Sequence, residues 1–320
     1  MPGTALQPHL KTPPGAGTKT IVVDSEHAGR RLDKFLRARF KHVPAGQLFK
    51  LLRTGRLRIN GRKIDQTYRL AEGDTIQMPV LDAAADAARP ANVPVGLLKR
   101  LKNSVLHEDA DLLVVDKPAG VAVHRGTDVE TGVIEAFRQL RPELPQLELS
   151  HRLDRDTSGV LVLAKTPSML RYLHDLLRER EDEIERHYLA IVAGTWGGET
   201  AIHEPLLRRE DKVVVAPAGQ RAETRVKVER RIGRSATLLR VQLLTGRKHQ
   251  IRVHLQHAGH PIAGDDRYGS RAFNRKVAES GGNGLYLHAA TMVIPKPDGS
   301  QLAIDAPTPQ RWQRLLASGL

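Results

Sequence analysis

At 320 residues the chain is long for one small domain, so two domains and a linker are expected. Fifty Lys and Arg against 36 Asp and Glu leave a net charge of +14, which points to a polyanionic partner. An apolar share of 40% is that of an ordinary globular protein, and no apolar run approaches the ~18 residues of a membrane span. The lack of cysteine excludes disulfides, thiolate zinc sites, iron–sulfur clusters and thiol catalysis. With aromatics at 4%, a broad base-stacking platform is not expected to be the main binding mode.

Residues 1–19 hold four prolines and three glycines without an apolar segment, and read as a disordered tail rather than a secretory signal, in keeping with a cytoplasmic protein. A first, small domain is expected over 20–81. Its stretch from Arg30 to Lys63 has twelve Lys and Arg and one acid, Asp33, and so carries +11. Arg30, Arg31, Lys34, Arg37, Lys50, Arg53, Arg56, Arg58, Arg62 and Lys63 are therefore candidate phosphate contacts, although a solvated helix face would show the same residue types. Leu32, Phe35, Leu36 and Phe40 recur at helical spacing, as do Leu48, Leu51 and Leu52, so two short amphipathic helices are expected. Arg-Leu-Arg-Ile, Asn60-Gly61 and Arg-Lys-Ile then read as a β-hairpin, because Asn-Gly tolerates the positive φ of a tight turn.

Residues 82–95 are rich in Ala and Pro and read as a linker, with a second domain over 96–320. Strands are expected at 112–116, 159–164, 189–194, 212–216, 224–230 and 238–244. Helices are expected chiefly at Gly132–Leu140, after a Thr131 cap, and at Ser168–Arg180, after Thr166-Pro167. Short helices among many β segments imply an α+β fold around a mainly antiparallel sheet with flanking helices.

Two polar signatures stand out. His-Arg-Leu-Asp-Arg-Asp-Thr-Ser-Gly at 151–159 sits at the mouth of an apolar strand, and taken alone it could be a salt-bridged turn. The segment 245–269, TGRKHQIRVHLQHAGHPIAGDDRYG, follows another strand and places Arg247, Lys248, His249, Arg252 and His254 within eight positions. Arg252, between Ile251 and Val253, reads as lying on the polar face of a strand or helix edge, and Tyr188 alone could be a core aromatic. His254, His257 and His260 recur every third residue, but no Cys or second carboxylate completes a zinc site, so no metal is expected.

Taken in order, these segments resemble the RluA-type pseudouridine synthases that carry an amino-terminal S4 RNA-binding domain. GRRLDKFLRARF through LLRTGRLRINGRKI and LAEGDTI are similar to the S4 helix pair, hairpin and closing strand, giving a small α/β S4-like domain. LLVVDKPAGVAVH, HRLDRDTSGVLVLAKT, RHYLAIVAG and segment 245–269 are similar to successive parts of the synthase domain. The resemblance implies that Asp154 is the catalytic aspartate, that Tyr188 lies against the target base and that Arg252 pairs with Asp154. It also implies that Arg152 fills the gap left by the extruded base, and that His151, Thr157, Ser158, Arg247 and His249 belong to the substrate site. The family's usual Lys two places before the tyrosine is Arg186 here, and the loop Gly281-Gly282-Asn283-Gly284 departs locally from the pattern.

These residue types suit the implied reaction. A carboxylate can attack C1′ of a nucleoside or stabilise positive charge there, and a neighbouring guanidinium favours its ionised form. A base inside folded RNA has to be extruded, with an aromatic or guanidinium plane replacing lost stacking. The expectation is a monomeric, cofactor-free isomerase that acts on ribosomal RNA of the large subunit and implies no protein partner. The alternatives are a non-catalytic RNA-binding or ribosome-assembly factor, and a nucleosidase using Asp154 with Asp156 as second acid.

Overall fold

The computed structural model describes residues 18–40, 43, 45–79, 93–125, 131–210 and 212–320. The expected tail lies outside them except for Thr18 and Lys19, and the expected linker except for 93–95. The chain forms two compact units, 1–90 and 91–320.

In the first unit, β1 (Thr18–Val22) is followed by α1 (Leu32–Arg39), α2 (Ala45–Arg53), β2 (Arg58–Ile59) and β3 (Thr75–Pro79). The helical spacing noted in the sequence becomes a core in which Leu32, Phe35, Leu36, Leu48, Leu51 and Leu52 pack on Ile59, Ile76 and Met78. Asn60 and Gly61 take φ of 52° and 75°, as the hairpin reading requires. The expected return strand, however, shrinks to one bridge between Ile59 and Arg62. The reason is that β3, rather than residues 62–64, fills the place beside β2, giving the order β1-β3-β2. Strand β1 leaves no sign in the sequence, because its mostly exposed residues carry no alternation of apolar and polar side chains.

The second unit opens with α3 (Val95–Lys102), β4 (Val105–Glu108) and β5 (Leu112–Lys117). It continues through α4 (Val133–Leu140), β6 (Glu148–Leu149), β7 (Ser158–Ala164), α5 (Pro167–Glu179) and β8 (Glu185–Ala193). Next come β9 (Thr200–Ile202), β10 (Leu206–Arg208), β11 (Val213–Val215), β12 (Thr224–Ile232) and β13 (Ala236–Leu243). The chain closes with α6 (Gln250–His257), α7 (Arg271–Glu279), β14 (Leu287–Pro295), β15 (Gln301–Asp305) and α8 (Trp312–Ala317). Thr166 caps α5 by accepting the Met169 N–H. The cap of α4 is Gly132 rather than Thr131, because the Glu135 carboxylate takes the Gly132 N–H at 2.9 Å.

A ten-stranded sheet runs β4-β5-β7-β14-β8-β13-β12-β9, with β15 on β14 and β6 on β7. Every pairing in it is antiparallel except β7 with β14, where His288 lies opposite Ser158 and Ala289 opposite Gly159. Strand β7 is buried along its whole length, which explains its continuous apolar run. One of its faces packs on Leu101, Val133 and Phe137, the other on Met169, Leu173 and Leu176. Gly159 lies where the two parallel strands nearly touch. A Cβ there would sit 2.1 Å from the Ala289 carbonyl oxygen, so only glycine fits. Helix α6 escapes the sequence reading because Ile251, Val253 and Leu255 alternate as a strand would. It is buried on nearly all sides from Gln250 to Leu255 and has no polar stripe to betray its period.

Beside this junction His288 receives the Ser158 hydroxyl on Nδ1 at 2.9 Å and faces the Ala306 carbonyl with Nε2 at 3.3 Å. Burial pushes its pKa down to about 4, from 6.5. As pH falls from about 6.5 toward about 4, the unfolded chain binds a proton at this residue that the folded chain refuses. Stability is therefore full above that window and lost through it. The melting temperature is expected to fall between about pH 7 and about pH 4.5, with a shallower slope in His288→Gln, as calorimetry across that range checks.

Candidate active site

The segment between β6 and β7 projects from the sheet as a short loop. Ser150 anchors its start by donating its hydroxyl to the Val162 carbonyl at 2.8 Å, and His151 Nε2 accepts the Val162 N–H at 3.0 Å. This bond places the His151 proton on Nδ1, and burial, then the field of Arg186, pushes its pKa down to about 4. Thr157 N–H donates to the Asp154 carbonyl at 3.2 Å and closes the loop as a turn. Beneath it lies Lys117, with no exposed surface. Its ammonium donates to the carbonyls of Pro118, Val121 and Arg155 at 3.0, 2.8 and 3.0 Å. Burial pushes the Lys117 pKa down to about 7, against the pull of Asp156, Asp154 and Asp116. One buried cation thus ties the 117–121 segment to the loop that carries Asp154.

Asp154 faces a pocket of about 310 Å³ lined by His151, Arg152, Tyr188, Lys248, His249 and Arg252, among others. The Arg252 Nη1 donates to Asp154 Oδ2 at 3.3 Å, and His249 Nε2 lies 3.7 Å from Asp154 Oδ1. Arg252 is only 8% exposed, so its expected place on a polar face is corrected. Its remaining donors, Nε and Nη2, form a fork onto Asp265 Oδ2 and Oδ1 at 2.7 and 2.8 Å. Burial opposes the Arg252 charge, but hydrogen bonds and fields from Asp265 and Asp154 outweigh it and push its pKa up. Burial likewise raises the Asp265 carboxyl, and the Arg252 contacts outweigh that to hold it below its ordinary value.

Tyr188, on β8 between Val241 of β13 and Ala289 of β14, presents its ring to the same pocket. Burial raises its phenol pKa, with Arg186 pulling down and Asp154 pushing up. Arg186 lies in the pocket wall, where Nη1 donates to Glu181 at 3.1 Å and Nε and Nη2 have no hydrogen-bond partner among the described residues. Arg247 reaches the other Glu181 oxygen at 3.5 Å, so Glu181 joins two of the wall's cations. Arg152 is exposed and, with Arg208 and Arg267, stands near Lys248; burial and then these charges lower the Lys248 pKa. A cationic rim therefore surrounds Asp154, and Glu181, the pocket's other carboxylate, is paired within that rim.

Thr157 lines this pocket, but Ser158 does not. The expected placement of Ser158 in the substrate site is corrected: its hydroxyl is buried on His288, on the far side of the strand. Asp156 lines a second cavity with Asp116 and Ser158, so it cannot form an acid/base pair with Asp154 in one pocket. His254 is bonded to Thr224 and the Glu204 carbonyl, and His260 to the Ala193 carbonyl, so their regular spacing does not bring them onto one centre. In the first unit Arg30, Lys34, Arg37, Lys50, Arg53, Arg56, Arg58, Arg62 and Lys63 are exposed. Arg31 is half-buried and paired with Asp33, and the Arg58 guanidinium is held by the carbonyls of Gly55 and Gly61. Sequence reasoning misses Lys117, Asp265 and Tyr268. For Asp265 no signal exists, because the adjacent Asp266 is indistinguishable until the fold buries one and exposes the other.

A basic pocket in which Arg252 holds Asp154, while the second carboxylate, Glu181, is taken up by Arg186 and Arg247, suits an enzyme acting on a polyanion. Comparison with known proteins identifies which. The family model described as RNA pseudouridylate synthase matches residues 111–257, and that of the S4 domain matches residues 30–76. The chain is 43% identical over 307 residues to "Ribosomal large subunit pseudouridine synthase C" of Escherichia coli (strain K12), covering 93% of this chain and 95% of that protein. The same-named protein of Haemophilus ducreyi is 40% identical over 309 residues, covering 94% and 96%. The solved structure of "Human RNA Pseudouridylate Synthase Domain Containing 4" superposes with a TM-score of 0.58 at 27% identity, covering 69% of this chain and 95% of that one. The chain belongs to the RNA pseudouridylate synthase family, and is an isomerase with an S4 domain at its amino-terminal end.

The three carbonyls on Lys117 predict a steep cost for its removal. Lys117→Met is expected to destabilise the second unit by roughly 3 kcal/mol, since buried acceptors are left without their donors. Urea unfolding followed by fluorescence checks it. Activity should fall as well in conditions where the variant remains folded.

Proposed function

We propose that this chain converts uridine to pseudouridine in large-subunit ribosomal RNA, with Asp154 as the reacting carboxylate. The observation that carries this reading is the 3.3 Å contact of Asp154 with an arginine that is itself forked onto Asp265. The reaction breaks the bond from N1 to C1′, turns the base and joins C5 to C1′, while C5 loses a proton and N1 gains one. Asp154 attacks C1′ or stabilises the positive charge that develops there. Arg252 keeps that carboxylate aimed and balanced in charge. Tyr188 supplies a flat apolar wall against which the uracil turns, and exposed Arg152 takes the place of the extruded base in the RNA stack. Arg247, Lys248 and His249, with His151 and Thr157, complete the enclosure.

The substrate class is supported by the relatives' name and by the exposed cations of the S4 unit. Those cations contribute affinity through phosphate contacts that read no sequence. We place the protein in the cytoplasm, alongside the ribosomal RNA it modifies, and as a monomer. No cofactor is assigned a step, because the isomerisation is redox-neutral and transfers no external group.

Asp154→Asn is expected to abolish pseudouridine formation in an unmodified ribosomal RNA transcript while RNA binding persists, as carbodiimide mapping and filter binding would record. Activity in that variant would remove Asp154 from the reaction. Arg252→Lys, whose single nitrogen lacks the rigid fork that pairs with Asp265 while a further donor reaches Asp154, is expected to lower kcat on the order of 10²-fold. Replacing an exposed S4-unit cation such as Lys34 or Arg53 with Ala should weaken binding evenly across transcripts. It should also flatten the logarithmic salt slope by about 1 for each phosphate no longer neutralised.

A further inference from the structure

The turn from Asp265 to Tyr268 reaches Asp154 by two arms. One is the fork of Asp265 on Arg252. The same carboxylate also accepts the N–H groups of Arg267 and Tyr268, both at 2.9 Å, so it shapes the turn as well. The other arm starts at the Tyr268 hydroxyl, which accepts the Val213 N–H at 3.0 Å and lies 2.8 Å from His249 Nδ1. His249 Nε2 then faces Asp154 Oδ1 at 3.7 Å.

This geometry selects a tautomer. A neutral imidazole carries one proton, and a phenol hydroxyl has one to give. If Nδ1 held the proton, it would donate to the phenol oxygen, and the Nε2 lone pair would oppose the Asp154 carboxylate. If the phenol donates to Nδ1, the proton sits on Nε2 and points toward that carboxylate, leaving no like poles in contact. Burial, the largest influence, pushes the His249 pKa to about 4, with Asp154 opposing and Arg252, Lys248 and Arg267 reinforcing, so the ring is neutral at neutral pH.

The backbone is committed to the same end. His249 has φ of 56°, and apart from Asn60 it is the only non-glycine residue with positive φ among the described residues. A left-handed conformation costs an ordinary side chain a free energy that is recovered only where surrounding contacts enforce it. Here it precedes α6, the helix that carries Arg252, and keeps the imidazole in the pocket.

We infer that Tyr268 is a positioning residue: by donating its hydroxyl proton to Nδ1 it locks His249 in the Nε2–H form, and that N–H steers the second oxygen of Asp154 while Arg252 holds the first. At 3.7 Å the contact is too long for a hydrogen bond in the free protein, and the steering requires that it shorten when RNA fills the pocket. The inference rests on Asp154 being the reacting carboxylate.

The test is a double-mutant cycle in the full-length protein, using Tyr268→Phe and His249→Asn, since Asn tolerates the left-handed backbone but cannot span both partners. On a ribosomal RNA transcript, Tyr268→Phe is expected to lower kcat about tenfold with KM unchanged, the scale of one hydrogen bond to a charged group. In the His249→Asn background the same change should cost nothing further. An equal loss in both backgrounds would overturn the inference, because Tyr268 would then act without His249. Nitrogen NMR of histidine-labelled protein gives a readout independent of activity. The resonance that disappears in His249→Asn should show a protonated Nε2 and a bare Nδ1, and should shift toward a tautomer mixture in Tyr268→Phe. A protonated Nδ1 in the unmodified protein overturns the inference even if the enzyme is active. Absence of activity in the unmodified protein, with the Nε2–H form present, would instead reject the role assigned to Asp154.

Discussion

The guanidinium of Arg252 is shared between two carboxylates of unequal standing. Asp265 is buried and receives two charge-assisted donors in fork geometry, whereas Asp154 receives one longer contact and remains open to the pocket. The stronger pairing fixes the arginine, and the fixed arginine then offers Asp154 a constant field. A lysine could supply charge but not this division of labour, because its single nitrogen has no rigid fork. The surrounding architecture holds the three groups in register: β7 presents the loop, α6 presents the arginine, and the turn before α7 presents Asp265 and Tyr268.

The loop itself depends on a second buried cation. Lys117 directs its donors to backbone carbonyls rather than to an acid, so its charge is spread among dipoles and remains felt by Asp154, Asp156 and Asp116. The three donors are satisfied, which limits the cost of burying this charge, and the Lys117 pKa of about 7 records the cost that remains. The site is thus built from two cations with different partners. Lys117 sets where the loop lies, and Arg252 sets where its carboxylate points.

Much of this can be read from the sequence because it rests on local periodicity. The paired helices of the first unit and the fully apolar β7 announce themselves through spacing and run length, and Asn60-Gly61 through its turn chemistry. The basic block is legible as exposed charge, and among the described residues its cations are exposed apart from half-buried Arg31. What escapes is tertiary in origin. Helix α6 is surrounded by protein, so its residues lose the amphipathic signature and imitate a strand. Arg252 reads as a surface residue for the same reason. Ser158 follows Thr157 directly, yet the two side chains serve opposite sides of the strand, which only its register with His288 reveals. The importance of Asp265 and Tyr268 lies entirely in contacts to residues 13 and 19 positions away, respectively Arg252 and His249.

The one parallel junction in the sheet has a bearing on how the molecule is made. Ser158 and His288 are 130 residues apart, so a nascent chain has long since emitted β7 when its neighbour β14 arrives. Until then the apolar edge of β7 has no permanent cover from that side, and an earlier stop in translation leaves it bare. Non-local pairing of this kind slows folding and exposes surface that sticks to other chains. Truncation before residue 287 is therefore a route to aggregation rather than to a smaller enzyme. Strand β14 is a late closing piece, without which the earlier part of the catalytic unit has no finished wall.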